Sequence, residues 1–382
     1  MATLTQWTLP LNPPNPYPFY LQYLTQEQDG KLYYTKYILD IIGELNLRTK
    51  RLPNFVREWA IPPALFGGNP GGDANGIIIR RVKPRLAVTV WFALESAHRL
   101  VQLNPTTGLF TAFGGNQFPI RYPRHLMVQG PNLWYTGSGT QGALVGVLRP
   151  NRRAAYWDLP IELLTPEGLW VEADGAGVWF TPINSNMFYT GAFLARLEPS
   201  TNRLTYWSYP PPGKRPVNAG VVGEPPTNPV NIWFTYYNPG PSSRVFRLHR
   251  PSGTFFEYPP TFSAPRKIVL DGAGNAWISD WSGKISTIAK DADCGTINFA
   301  SRTMTVKPVE MDVQTWQARA APTISPVTMT QGPVTPVRSG CYVDFPLPHP
   351  LMSHGIQLNV YSGQPNLYFS QGSGIIIGRL TP

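Results

Sequence analysis

Residues 177–210 read GVWFTPINSNMFYTGAFLARLEPSTNRLTYWSYP, and residues 132–160, NLWYTGSGTQGALVGVLRPNRRAAYWDLP, follow the same order of residue types. Each stretch contains an apolar–aromatic–aromatic–Thr segment, a variable loop, a segment that ends in a Leu-x-Pro turn, and a segment that ends in an aromatic residue and proline. The apolar segments are short, β-branched or aromatic, and bounded by Gly, Pro or Asn. The pattern predicts short antiparallel β-strands, because no segment shows the sustained 3.6-residue period of a helix.

The apolar–aromatic–aromatic–Thr/Ser segment, here called the WFT motif, recurs along the whole chain. Most steps between copies are near the roughly 40–50 residues of one four-stranded propeller blade. The sequence therefore predicts an all-β fold, a seven-bladed β-propeller of four-stranded antiparallel blades. The copies lie at residues 32–35, 90–93 (with Ala in place of Thr), 133–136, 178–181, 232–235, 276–279 and 367–370.

The two ends of the chain complement each other. Residues 3–10, TLTQWTLP, form a closing-strand sequence without preceding strands, while residues 366–382, NLYFSQGSGIIIGRLTP, stop before any closing strand. We expect the N-terminal strand to complete the last blade and so close the ring, which removes an open sheet edge.

The blade boundaries follow from the repeats, and we expect a single domain over residues 1–382. The step from Trp277 to Tyr368 spans 91 residues (368 − 277), which leaves either an eighth, degenerate blade or an insertion in blade six. We favour an insertion at about 291–340, which is rich in Pro and Thr and lacks a WFT motif. The predicted blades cover about 17–62, 63–115, 116–160, 161–210, 211–260, 261–348, and 349–382 plus 2–10.

Cysteine content and termini bear on the location of the protein. Cys294 and Cys341, the two cysteines of the chain, flank the predicted insertion and are too few for a zinc site. A disulfide between them would indicate an oxidising location, and the alternative is two unrelated buried thiols. No apolar run approaches the roughly 18 residues of a membrane span, and the N-terminus shows no signal peptide. We expect an extracellular, cell-surface or virion protein rather than a cytoplasmic one.

The repeated unit resembles that of the streptogramin B lyase (virginiamycin B lyase) family. The matching residues are VWFT and FLARLEPSTNRLTYWSYP within 178–210, and LYFS and IIIGRLTP within 367–382. The resemblance spans nearly the whole chain. It implies an enzyme that opens a cyclic depsipeptide ester by elimination, with a histidine general base and acidic residues that hold Mg²⁺.

The chain departs from this family at the acidic position after the Thr of each motif. Only Asp280, and Glu95 by a one-residue slip, keep a carboxylate, and His98 is the histidine nearest to either. These three are the catalytic candidates. No metal site is predicted and no cofactor is expected, except Mg²⁺ in the case of a lyase. The residues found at that position are Lys36, Leu94, Gly137, Pro182, Tyr236, Asp280 and Gln371.

Basic residues concentrate in the segments that begin several blades, and the chain carries a net charge of +10. In a propeller these segments and the loops after the WFT motifs share one face, the channel mouth, where converging cations attract an anion. The alternative is that they only keep the surface soluble. Four groups lie in such segments: Arg80, Arg81, Lys83 and Arg85; Arg121, Arg124 and His125; Lys214 and Arg215; Arg266 and Lys267. The predicted anion site comprises Arg121, Arg124, His125, Lys214, Arg215, Tyr236, Arg266 and Lys267.

Three functions remain compatible with the sequence. The first is a non-catalytic binding or assembly module that contacts a protein partner or an anionic ligand through the mouth and the insertion, for example in a surface layer or a virion. The second is a diverged lyase-like enzyme, and the third is a carbohydrate-binding, lectin-like module. Nucleic acid is a possible polyanion, but no known nucleic-acid-binding motif supports it.

Overall fold

The computed structural model resolves two compact units. One unit comprises Met1–Leu126, Val313–Pro336 and Pro346–Pro382, and the other Met127–Asp312 and Val337–Phe345. The described residues are 2–9, 21–25, 30–47, 55–69, 71–80, 88–114, 120–139, 142–160, 163, 166–182, 192–208, 220–224, 230–237, 243–258, 264–280, 282–348, 356–361, 364–371 and 376–381.

The strands form seven antiparallel sheets of five strands each, the blades of a seven-bladed β-propeller. Short 3-10 helices cover Tyr37–Leu39 and Pro63–Leu65. Within the described ranges, no helix is long and apolar enough to cross a membrane. The first strand of the chain, β1 (Ala2–Thr8), belongs to blade seven, and the next strands fill blades one to five in order: β2 (Leu21–Leu24), β3 (Lys31–Lys36), β4 (Ile41–Asn46) and β5 (Phe55–Ala60) in blade one; β6 (Ala74–Arg80), β7 (Thr89–Leu94), β8 (Arg99–Asn104) and β9 (Leu109–Gly114) in blade two; β10 (Pro123–Gln129), β11 (Asn132–Gly139), β12 (Gly142–Leu148) and β13 (Arg153–Asp158) in blade three; β14 (Pro166–Val171), β15 (Val178–Pro182), β16 (Ala192–Glu198) and β17 (Arg203–Ser208) in blade four; and β18 (Val221–Gly223), β19 (Asn231–Tyr236), β20 (Arg244–His249) and β21 (Thr254–Tyr258) in blade five. Blade six contains β22 (Pro265–Leu270), β23 (Ala276–Asp280), β24 (Lys284–Ile288) and β32 (Tyr342–Pro346), and blade seven contains β33 (Ile356–Tyr361), β34 (Gln364–Gln371) and β35 (Ile376–Thr381) besides β1. Each blade also has one outermost strand from the segment between β24 and β32, and these are β25 (Thr296–Ile297), β26 (Ala300–Thr305), β27 (Pro308–Asp312), β28 (Thr315–Arg319), β29 (Thr323–Pro326), β30 (Thr328–Val334) and β31 (Val337–Ser339).

The predicted propeller and its seven blades are confirmed, and the number of strands in each blade is corrected. Each WFT motif lies on the second strand of its sheet, for example on β15 in blade four. Each sheet has five strands instead of the predicted four, because the predicted insertion supplies the fifth strand. The expected single domain over residues 1–382 stays a prediction.

Stacked aromatic rings explain why the WFT motif and the closing aromatic residue recur together. In blade four, Trp179 of the motif stacks on Trp207 of the fourth strand, with ring centroids 5.6 Å apart and planes 11° apart. The rings come from the second and fourth strands and stack on the same face of the sheet, across the third strand. Such a pair buries a large apolar area. The equivalent pairs are Trp91–Phe113, Trp134–Trp157, Trp233–Tyr258, Trp277–Phe345 and Tyr368–Trp7.

The pair in blade seven also confirms closure by the N-terminal strand. β1 pairs antiparallel with β35, with Thr3 opposite Thr381 and Trp7 opposite Ile377. The closing aromatic of this blade, Trp7, therefore comes from the opposite end of the chain to its partner, Tyr368.

The Thr or Ser of the WFT motif satisfies a backbone group that the first strand leaves unpaired. The pairing between first and second strands shifts register near the start of the first strand in blades one, two, four and six. At this bulge, Gly168 N–H donates to Thr181 Oγ1 (2.9 Å), and Lys267 N–H donates to Ser279 Oγ (3.1 Å). Blade two, which has Ala93 instead of Thr, satisfies the same amide with the side chain of Asn75.

In blade five the motif hydroxyl also connects two neighbouring sheets. Thr235 Oγ1 accepts from Gly220 N–H (2.7 Å) and donates to the carbonyl oxygen of Arg266 in blade six (2.9 Å). Gly220 lies so close to blade six that a Cβ there would be 2.9 Å from the Arg266 carbonyl oxygen. One buried hydroxyl thus acts as both donor and acceptor where the backbones of blades five and six approach each other.

The segment 294–341, here called the strap, runs along the outer edge of one sheet after another. Its strands β25 to β31 belong to blades five, four, three, two, one, seven and six, in that order. A disulfide between Cys294 and Cys341, with Cα atoms 6.5 Å apart, joins its ends and confirms the predicted pairing. β32 follows directly and is the fourth strand of blade six, as expected for the sequence CYVDFPLP.

The outermost position explains the Thr and Pro content of the strap. All six residues of β26 are exposed, as are most of those of β30. Thr combines high β-propensity with a polar surface, and proline lacks the N–H that an exposed edge would offer to another chain. Pro308, Pro326 and Pro333 stand in strap strands.

Replacing Thr235 by Val tests the bridging hydroxyl. The substitution keeps the shape but leaves the buried Gly220 amide without its hydroxyl acceptor, which costs about 1–3 kcal/mol, and it removes the hydrogen bond to the Arg266 carbonyl. We expect a clear fall in the midpoint of thermal unfolding. Thr205→Val is the matched control, because its hydroxyl makes a solvent-exposed contact with Thr303. Equal midpoints for both variants would contradict the bridging role.

Candidate functional site

Most of the described site residues fall into two groups, one in each compact unit, while His125 and Tyr236 belong to neither. The acid–imidazole cluster lies in the first unit and consists of Asp40, Asp73, Glu95, His98 and Arg124. The lysine cluster lies in the second unit and consists of Glu167, Thr235, Arg266, Lys267 and Asp280. Arg81, Lys83, Arg85, Lys214 and Arg215 lie outside the described residues.

Glu95 follows β7 and is held by residues at the start of two other strands. Its Oε2 accepts from Asn75 Nδ2 (2.6 Å), and its Oε1 accepts from Arg124 Nε (2.7 Å). The structure therefore brings together two predicted site residues, Glu95 and Arg124, but as partners of one another. Charge-assisted bonds of this kind are strong and fix a carboxylate in place.

His98 closes the turn that begins at Glu95. Its Nδ1 accepts from the backbone N–H of Tyr122 (3.1 Å), and its ring meets the edge of the Tyr122 ring at a centroid distance of 4.3 Å. Burial, and secondarily the charge of Arg121, lower the pKa of His98 below its ordinary value. The imidazole is therefore neutral near pH 7, with its proton on Nε2.

Backbone strain concentrates around the acid–imidazole cluster. Among the described residues, six non-glycine residues have positive φ, and four of them lie here: Asp40 (49°), Asp73 (52°), His98 (55°) and Tyr122 (42°). Asp and His tolerate this left-handed region better than most residues do. Strained residues gather at sites where the surrounding structure holds them in place.

Asp40 and Asp73 belong to this cluster although no sequence motif indicated them. Asp40 Oδ2 accepts from the backbone N–H of Gly72 (3.0 Å), and Asp73 accepts from the Ser96 hydroxyl. Burial raises the pKa of Asp40, and the N–H of Gly72 partly offsets this effect. Their sequence signal is weak, since an Asp at a turn is ordinary.

His125 lies apart from His98, on the first strand of blade three. It is buried, and its Nε2 lies 3.4 Å from Tyr23 Oη, with the two rings edge to face. The backbone of blade three approaches Gly76 so closely that a Cβ there would lie 1.9 Å from the Arg124 carbonyl oxygen. The predicted anion-site residue His125 therefore packs among first strands.

Asp280, the last residue of β23, holds the residues just after β23 and just before β22 through backbone hydrogen bonds. It is fully buried, and its carboxylate accepts from the backbone N–H groups of Ser282 (2.7 Å) and Ala264 (3.3 Å). In blade one the equivalent position after the Thr is Lys36, which forms a buried ion pair with Glu58 (2.6 Å). In both blades the residue after the WFT motif is therefore buried and bonded within the protein, but to different partners.

The basic residues of blade six begin β22. The guanidinium of Arg266 lies 4.7 Å above the ring centroid of Tyr237, while the predicted site residue Tyr236 is buried in the core against Phe193. Lys267 is partly buried. Burial lowers its pKa from 10.5 to about 8, and the negative charge of Glu167 opposes this shift.

The carboxylates do not match the acidic Mg²⁺ ligands that the family resemblance implied. Magnesium needs carboxylate oxygens free to face the ion. Asp280 and Glu95 direct theirs at N–H donors. Within the described ranges, no three His, Cys, Asp or Glu side chains are grouped as metal ligands.

Comparison with known proteins agrees with the fold. A scan against protein-family models finds no match, and neither does a search of the curated proteins. Among solved structures, a streptogramin B lyase is 18% identical with a TM-score of 0.62, and the match covers 100% of this chain and 98% of the lyase. A catalytically inactive virginiamycin B lyase from Staphylococcus aureus with quinupristin is 17% identical with a TM-score of 0.65, covering 100% and 99%. Hydrazine synthase from Kuenenia stuttgartiensis is 11% identical with a TM-score of 0.50, covering 74% and 79%. The chain therefore shares the propeller fold of the streptogramin B lyases over its whole length.

Proposed function

We propose that this chain is a non-catalytic propeller that binds an anionic ligand or an acidic protein surface through the lysine cluster. The observation that carries the proposal is the pair of consecutive cations near the start of β22, Arg266 and the partly buried Lys267, and burial lowers the pKa of Lys267 to about 8. A positive charge that burial destabilises gains free energy when an anion binds beside it. The neighbouring Arg266 would add a second cation with planar donor geometry.

The state of the three catalytic candidates supports a binding role over the lyase alternative. Glu95 is paired with Arg124, and Asp280 is bonded to two backbone amides. The Nδ1 of His98 already accepts a hydrogen bond. A general base needs a lone pair that reaches the substrate proton, and a carboxylate engaged by strong donors is a poor one.

A diverged lyase is the second candidate, because the chain matches two such lyases over its full length. We expect no opening of quinupristin when it is incubated with the protein and Mg²⁺. The measurement is mass spectrometry of the intact and ring-opened depsipeptide over time, with an active lyase as the positive control. If the protein opens quinupristin and a Glu95→Gln variant does not, the protein is a lyase and the non-catalytic proposal is wrong.

Anion binding is tested by replacing Lys267. We expect Lys267→Met to weaken binding of inorganic phosphate and of an oligogalacturonate by about tenfold or more, the range for losing a charged hydrogen-bond donor. Isothermal titration at pH 7 and low salt measures the change. Lys307→Met is the matched control, because Lys307 is exposed between β26 and β27. Equal loss in both variants would show only a general charge effect.

The lowered pKa also predicts a pH-dependent stability difference. Below about pH 8 Lys267 is charged in both the folded and the unfolded state, and the folded state bears the cost of burial. Between about pH 8 and 10.5 the unfolded chain binds more protons, so this cost disappears as the pH rises. We expect Lys267→Met to be more stable than the parent by about 1–3 kcal/mol at pH 7 and equal to it near pH 10.5. Urea unfolding at each pH checks this, and a constant difference would contradict the shift.

A further inference from the structure

The strap is a seven-residue sequence repeat. From residue 299 to residue 340 it divides into FASRTMT, VKPVEMD, VQTWQAR, AAPTISP, VTMTQGP and VTPVRSG, and the next unit begins with Cys341. The first position of each unit is apolar, and the rest of each unit is mainly polar or small. The first positions are Phe299, Val306, Val313, Ala320, Val327, Val334 and Cys341.

The first position anchors each unit in the core. Val306, Val313, Val327 and Val334 are 6–8% exposed, whereas the residues between them are mostly exposed. Val306 packs into the core shared by blades three and four, and Val327 packs with Trp7 and Tyr368. The ring centroids of Phe299 and Phe255 lie 4.3 Å apart. Each unit thus inserts one apolar side chain before the strap pairs with the next sheet.

The third position fixes the register of each unit on its sheet. It lies opposite the closing aromatic residue, the ring that stacks on the WFT motif of the same blade. The repeat and the blades therefore keep the same register from sheet to sheet. The pairs are Ser301–Trp207, Pro308–Trp157, Thr315–Phe113 and Met329–Trp7.

Turns in the blades are shaped to receive the strap. Val306 N–H donates to the carbonyl of Asn202 (2.9 Å), and Ala320 N–H donates to the carbonyl of Gly108 (3.1 Å). Both acceptors have positive φ, at the turn between the third and fourth strands. At Gly108 a Cβ would lie 2.2 Å from the Ala320 carbonyl oxygen, so a side chain there would displace the strap.

We propose that the strap is a redox-controlled clamp. With the Cys294–Cys341 disulfide closed, it is a covalent loop that contributes one strand to each of the seven sheets. Reduction by a dithiol converts the disulfide into two cysteine thiols, while the dithiol forms its own disulfide. The strap then opens, and the four-stranded blades remain folded with their fourth strands as new edges.

Two features make the strap separable from the blades. Most residues between the anchors are exposed along the sheet edge, although Trp316 and Ala318 also pack against the core, so local opening exposes a limited apolar area. The blades keep their stacked aromatic pairs and WFT hydrogen bonds, which do not involve strap residues. The closed loop instead stabilises the strap by removing conformational freedom from the opened state, an effect that is larger for longer loops.

Hydrogen exchange of the full chain, with and without dithiothreitol, tests the clamp. We expect backbone amides of β26 to β30 to exchange on the order of 100- to 1,000-fold faster after reduction, the range for losing a loop closure of this length. Amides of the WFT strands, such as β15 and β19, should keep their protection. Unchanged exchange in the strap, or simultaneous loss of protection in the WFT strands, overturns the proposal.

Two variants keep the test independent of the reducing agent. Val327→Asp should release the strap around β29 and β30 even when the disulfide is closed, because it places a charge in a buried anchor position. Val337→Asp is the control, since Val337 is 52% exposed. Trypsin should cleave at Arg319 in Val327→Asp and in the reduced parent, but not in Val337→Asp. Equal cleavage of both variants would contradict the anchor role.

Discussion

The buried amide at the start of the first strand is the constraint on which blades two, four, five and six depend. A bulge turns this amide out of the regular ladder, and an unpaired buried N–H is costly. The WFT hydroxyl pairs with it in blades four, five and six, and Asn75 does so in blade two. The bulged residues are also those that carry the polar side chains Asn75 and Lys267. The hydrogen bond that pairs the bulged amide therefore also fixes the backbone that carries Asn75 or Lys267.

Much of the fold could be predicted because local sequence encodes it. The WFT motif and the closing aromatic are a few tens of residues apart, so Trp179 and Trp207 indicate one blade by themselves. The first strands were less visible, since β18 has only three residues. The fifth strands escaped prediction for another reason. They are solvent-exposed, so they lack hydrophobic alternation, and their partners, such as Thr111 for Gln317, are far away in the chain.

The site was predictable in its residue types but not in its pairings. The sequence indicated Glu95, Arg124 and Lys267, but charge alone does not show that Glu95 and Arg124 satisfy each other. Asp40 and Asp73 were missed because their positive φ angles follow from tertiary packing, not from a motif. Sequence alone does not show which of two consecutive tyrosines faces outward: Tyr236 ends β19 and is buried in the core, whereas Tyr237 lies just after the strand and contacts Arg266.

Because each blade pairs with one strap strand, the number of seven-residue units in the strap must match the number of blades. A single inserted or deleted residue between 299 and 340 would move every later anchor out of its pocket, so this segment tolerates length changes only in whole units. Duplicating a blade alone would leave one sheet without a strap strand. Growth or loss of a blade during evolution therefore requires a matching change of seven residues elsewhere in the same gene, and the number of blades is fixed by two independent sequences that must agree.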